Sequence, residues 1–193
     1  MKWKIVTGGL LLAVLLVSPA AGARTPDLAE AAGNYQISSS SRIGFAIDQV
    51  GGGGIAGDFR RFSGSFRIDG GDVGRSTVQL TLYPDSVVTR EQRMGDFLRS
   101  SAVFNASTYP TVTFRSTRVT QTSPDTAVVT GMLTARGITR QETFTVRLKD
   151  WDRNSIAFDI KGDVYRSRYG MDVGTPIYLN VVKFDMDIKG QKR

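Results

Sequence analysis

Arginine and tyrosine are the residue types of this chain best suited to meet a polar ligand group. A guanidinium presents a planar fork of donors that fits a phosphate or a quinone oxygen. A tyrosine has an apolar ring and a polar tip, which suits a border between wet and dry zones. An ordinary solvated arginine or a surface ion pair is the plainer reading of each arginine. The chain has no His and no Cys. His-based triads, thiolate nucleophiles and His or Cys zinc sites are therefore excluded. Gly51 to Gly54 lack the Lys-Ser/Thr of a phosphate-binding loop and read as a flexible hairpin. Asp185 and Asp187 share a strand face, but Lys183 and Lys189 flank them, so a solvated ion-pair face is expected rather than a cation site. No catalytic residue, metal ligand or cofactor is assigned.

The elements that would position these groups are strands. Val182, Phe184, Met186 and Ile188 alternate with Lys183, Asp185, Asp187 and Lys189, the period of a strand with one dry and one wet face. The pattern recurs through the chain. It places Ile43, Phe45, Phe59, Phe66, Leu80, Leu82, Phe114, Leu133, Phe144, Val146, Phe158, Ile160, Phe184 and Met186 on the apolar side. Arg60 and Arg61 mark a bend, because Phe62 shifts the apolar parity. Pro84 ends or kinks a strand. One short helix is expected after Thr89, with Thr89 and Gln92 as a capping box and Met94, Phe97 and Leu98 as its apolar face. Eight to nine strands, one helix and no strand–helix–strand spacing predict an all-β, antiparallel barrel or sandwich.

The chain has 193 residues and a formal net charge of +7. Lys2 and Lys4, the apolar run Ile5–Val17 and the small residues up to Ala23 read as a secretory signal, residues 1–23, cleaved after Ala23. The apolar run is short of the roughly 20 residues that span a bilayer. Residues 24–33 read as a loose leader, and residues 34–190 as one domain. Export makes nucleic acid a poor partner for the positive charge, which serves solubility through a charged outer face.

Several segments, in order, resemble the YceI-like, polyisoprenoid-binding family: Phe62-Ser63-Gly64-Ser65-Phe66, Asp85–Thr89, Phe97–Asn105 leading into Tyr109–Ser116, Gly131–Thr139, and Tyr165–Met171. The resemblance implies an extended, lipocalin-like barrel of eight antiparallel strands, export to the periplasm, and an apolar tunnel for a polyprenyl or quinone-like isoprenoid. It adds Phe97, Tyr165, Tyr169 and Met171 to the expected tunnel, and puts Arg99, Arg136, Arg166 and Arg168 at a polar mouth. Relatives often carry His where this chain has Gln49, Phe97 (or Asp96) and Arg136. Head-group contacts made by those His residues do not carry over.

The expectation is thus a periplasmic, non-catalytic binding or carrier protein for an isoprenoid lipid, with transient contact to a membrane surface; a dimer is compatible with it. Two alternatives remain open. An outer-membrane barrel would show the same alternation with its faces exchanged. A lipid-modifying enzyme would need an acid inside the apolar face.

Overall fold

The computed structural model describes residues 26–193; the expected signal segment lies outside the described residues. Alternation dominates the result. Eleven strands form one antiparallel sheet: β1 (Gly33–Ile37), β2 (Arg42–Asp48), β3 (Gly54–Phe59), β4 (Phe62–Ile68), β5 (Thr77–Leu82), β6 (Val87–Thr89), β7 (Val112–Ser123), β8 (Thr126–Ala135), β9 (Ile138–Trp151), β10 (Ser155–Tyr165) and β11 (Val181–Lys192). Neighbours run β1-β4-β5-β7-β8-β9-β10-β11, and β11 pairs back onto β1, which closes a barrel of eight strands.

Three of the eight are bent strands, each made of two segments. β11 pairs β2 from Lys183 to Asp187 and β1 from Gly190 to Lys192, so β1 and β2 lie end to end along it. The break between them is stitched by Ser41, whose Oγ donates to the Lys189 carbonyl and accepts from the Lys189 amide. β3 and β4 part at Arg60–Arg61, the expected bend, where the Arg60 amide donates to the Ser86 carbonyl. β5 and β6 part at a short 3-10 turn over Pro84–Ser86. β6 pairs only with β3. The gap between β6 and β7 is filled by the helix α1 (Gln92–Arg99) and the turns that follow it.

The helix departs from its expected cap. Glu91, not Thr89, takes the cap position without a side-chain bond, and Thr89 Oγ1 instead donates to the Glu91 carbonyl at 2.6 Å. Leu98 is buried while Phe97 is exposed, so the inward face is narrower than the sequence pattern suggested. Residues 26–32, expected within a loose leader, form a turn against the barrel. The Leu28 amide donates to the Pro124 carbonyl at 2.8 Å, the Tyr35 hydroxyl donates to the Ala31 carbonyl, and Leu28 is 3% exposed. Burial of one leucine outweighs the polar composition of that stretch.

Inside, large and absent side chains alternate. Phe45 lies over Gly57, Phe66 over Gly190, Phe114 over Gly131 and Phe144 over Gly162. A Cβ at Gly131 would stand 2.5 Å from the Phe114 ring, and one at Gly190 2.6 Å from the Phe66 ring. These distances are far inside van der Waals contact, so only glycine leaves each ring its place against the wall. The rings also pack edge-on with one another, Phe114 on Phe144 at 5.2 Å and Phe66 on Phe158 at 5.7 Å.

Gly162→Val would drive the Phe144 ring off the wall. Overpacking of this kind is expected to lower the unfolding free energy by about 1–3 kcal/mol, read as a lower urea midpoint. A second test concerns the β7–β8 turn that Leu28 rests on. Hydrogen bonds from Ser123, Thr126 and Arg147 hold the Asp125 carboxyl down at about 2, below its usual 3.8. A depressed folded value stabilises the fold above the unfolded value, and that stability is lost as pH falls from about 4 towards 2. Asp125→Asn should flatten the acid limb of a stability–pH curve measured between those values.

Candidate lipid-binding lumen

The inward faces of the strands enclose two apolar cavities. The larger, about 120 Å³, is lined by Phe66, Leu80, Leu82, Phe114, Leu133, Phe144, Val146, Phe158, Ile160, Phe184 and Met186, together with Leu28, Ile37, Val73 and Val78. The smaller, about 50 Å³, lies towards α1 and is lined by Phe45, Phe59, Leu98, Phe104, Tyr169, Met171 and others. Leu82, Val112, Leu133 and Phe184 border both. An apolar cavity of roughly 150 Å³ stays dry and admits a benzene-sized guest. The larger cavity is of that scale, and a long chain must displace side chains to enter.

Most residues expected to line a tunnel therefore border one cavity or the other. Three do not. Ile43 is fully buried in the core but borders neither cavity, while Phe97 is 38% and Tyr165 50% exposed. Phe97 sits on the outer side of α1, and Tyr165 is the last residue of β10 with outward parity.

The four arginines expected at a polar mouth are engaged in holding the loops around the smaller cavity. Arg166 is 5% exposed. Its Nε donates to the Leu179 carbonyl, Nη1 to the carbonyls of Met171 and Val173, and Nη2 to Thr175 Oγ1 and the Tyr178 carbonyl. All five N–H donors of a guanidinium are thus used, and the side chain fixes the loop after Gly170 rather than offering donors to a ligand. Burial lowers its pKa, opposed by Asp172. Arg136 occupies the first position of the tight β8–β9 turn with φ +50°, followed by Gly137 at +72°, the geometry of a two-residue hairpin turn. From there its Nη1 donates to the Val103 carbonyl at 2.7 Å and the Gly170 carbonyl at 3.0 Å, tying two loops together. Arg99 donates to the Val87 carbonyl and to Asp96.

Arg168 and Tyr169 meet a residue that the sequence pattern did not single out. Glu142 has the inward parity of β9 and is 6% exposed; its Oε1 accepts from the Tyr169 hydroxyl at 2.9 Å and from Arg168 Nη1 at 3.0 Å. Burial and the bond to Glu142 push the Tyr169 hydroxyl well above its usual range. Tyr169 thus turns its ring to the smaller cavity and its polar tip to a carboxylate. The clue in the sequence was an acid at an inward position two residues before Phe144.

The outer face is charged. Arg42 pairs with Asp58, Asp185 and Asp187, and Lys149 with Asp159 and Asp187. Asp185 and Asp187 thus belong to the expected ion-pair face.

Replacing Arg166 with Leu strips five acceptors of their donor. Amides of residues 171–180 should then exchange with deuterium about tenfold faster or more, while strands of the barrel keep most of their protection.

With this geometry in place, comparison with known proteins is informative. The family model described as the YceI-like domain matches residues 35–191. A UPF0312 protein of Pseudomonas aeruginosa is 34% identical over 120 residues, 61% of this chain and 62% of that one. One of Photorhabdus laumondii is 32% identical over 141 residues, 69% and 73% of the two chains. The chain thus spans about 62% of the length of the first relatives it matches. Among solved structures, Burkholderia cenocepacia BcnA superposes with a TM-score of 0.73 at 22% identity, covering 79% of this chain and 98% of that one. A structure described as a polyisoprenoid binding domain from Saccharophagus degradans, implicated in plant cell wall breakdown, gives 0.66 at 15% identity, covering 84% and 99%. Those two structures share the fold, while the match over residues 35–191 settles the lineage: this chain belongs to the YceI-like family.

Proposed function

We propose that this protein is an exported, non-catalytic binding protein that holds an isoprenoid lipid, a polyprenyl chain or a quinone tail, in the lumen of its barrel. The observation that carries the proposal is the lumen itself. Its two cavities are lined almost wholly by aliphatic and aromatic side chains, with the rings held to the wall by inward glycines. An isoprenoid chain has no hydrogen-bonding groups, so a dry lumen leaves none unpaired. Each CH₂-sized group buried contributes about 0.8 kcal/mol, and several isoprene units exceed the cost of association.

The alternatives weaken on the same geometry. A transmembrane barrel would turn its charged outer face to lipid tails, at several kcal/mol per ion near the midplane. Catalysis through an inward acid would fall to Glu142, whose Oε1 already accepts two bonds that hold the loop carrying Tyr169. The signal-like residues 1–23 support the reading of periplasmic residence, and the need of an insoluble lipid for a carrier supports that of transient membrane contact.

The test is detergent-free purification from a native-like bacterial host, organic extraction, and native mass spectrometry with added prenols. A co-purifying or stoichiometrically bound prenyl lipid supports the proposal; no lipid and no prenol uptake overturn it. Gly190→Ala, which pushes the Phe66 ring into the larger cavity, should weaken prenol binding roughly tenfold, the value of about 1.4 kcal/mol.

A further inference from the structure

The two cavities adjoin along four shared side chains. Leu82, Val112 and Leu133 come from β5, β7 and β8, which are neighbours in the sheet. Phe184 comes from β11, with β9 and β10 between it and β8 on one side, and β1 and β4 between it and β5 on the other. It therefore faces the three aliphatic side chains from across the lumen. All four border both cavities.

Phe184 is also the member with room to move. It is only half-buried, whereas Leu82, Val112 and Leu133 are buried. Its strand partner on β10 is Gly162, and the seat over that glycine is taken by the Phe144 ring. It packs edge-on against Phe144 at 6.1 Å with 76° between the ring planes, the looser end of a train that continues to Phe114 at 5.2 Å. Turning about its side-chain bonds would join a cavity of about 120 Å³ to one of about 50 Å³.

We propose that Leu82, Val112, Leu133 and Phe184 form a partition across the lumen that sets the longest isoprenoid chain the barrel retains, with Phe184 as its adjustable member. The inference rests on the reading of the lumen as an isoprenoid site. With the partition closed, a chain inserted into the larger cavity stops at Phe184. A longer chain binds only when the ring turns aside, and its affinity carries that cost.

The test uses a mixture of farnesol, geranylgeraniol and solanesol, with three, four and nine isoprene units, offered to the detergent-free protein and read by native mass spectrometry. The wild type should retain geranylgeraniol over solanesol. Phe184→Ala should raise the solanesol-to-geranylgeraniol ratio about tenfold, and Phe184→Leu, which keeps an apolar side chain for folding, should raise it by a smaller factor. Phe158→Ala enlarges the larger cavity away from the partition; it should change overall uptake and leave the ratio alone. An unchanged ratio in both Phe184 variants, or an equal shift in Phe158→Ala, overturns the partition while prenol binding stands. No prenol uptake by the wild type overturns the binding reading itself.

Discussion

The structure depends on one steric arrangement: aromatic rings on the inner face of the barrel lie over glycines of other strands. An eight-stranded barrel is barely wide enough to be more than a packed core. Phenylalanines pointing straight inward would fill it. Phe45, Phe66, Phe114 and Phe144 each find a neighbour without a Cβ and settle against the wall instead. The space left along the axis is apolar and bounded by polarizable ring edges. What the lumen can hold follows from that arrangement, and so does the place where it narrows, because the seat over Gly162, the strand partner of Phe184, is taken by the Phe144 ring.

The ends of the barrel are closed by different means. Near the β7–β8 turn, the closure is apolar: Leu28 packs into the end of the larger cavity, and its backbone is tied to Pro124. Around the smaller cavity the closure is polar, through arginines whose donors are spent on loop carbonyls. Arg166 gathers the loop from Met171 to Leu179, and Arg136 bridges the turn at Gly170 to the segment after α1. The Glu142–Tyr169–Arg168 cluster joins that loop to β9. Hydrogen bonds to loop carbonyls order a segment whose backbone would otherwise have no ladder to satisfy it. Opening at this end requires breaking polar contacts, while opening at the other requires exposing a leucine.

Much of this was legible in the residues. Alternation fixed which side chains of β4, β9, β10 and β11 face inward, and those of β7 as far as Phe114, before its register shifts after Ser116; the bends at Arg60–Arg61 and Pro84 showed in the parity change and the proline. The order of short motifs gave the family. The rest was out of reach for physical reasons. A glycine within a strand reads as a weak point, and its value as a seat for a ring depends on which strand lies beside it. The family resemblance puts the arginines at a mouth, where a guanidinium suits a phosphate; loop carbonyls suit it equally, and only the folded loop brings five acceptors to Arg166. Glu142 was hidden among exposed polar neighbours on β9, since its burial comes from the distant Tyr169. Phe97 matched a helical face by spacing, yet the gap that α1 fills is narrow enough to take only Leu98 fully.

The most direct test of the central claim is a crystal structure of the protein bound to geranylgeraniol. The account predicts continuous density for the chain between Phe66, Phe114, Phe144 and Met186, with those rings still seated over their glycines. Rings collapsed onto the axis, or a prenol lodged on the outer face with the lumen filled by side chains, would contradict it.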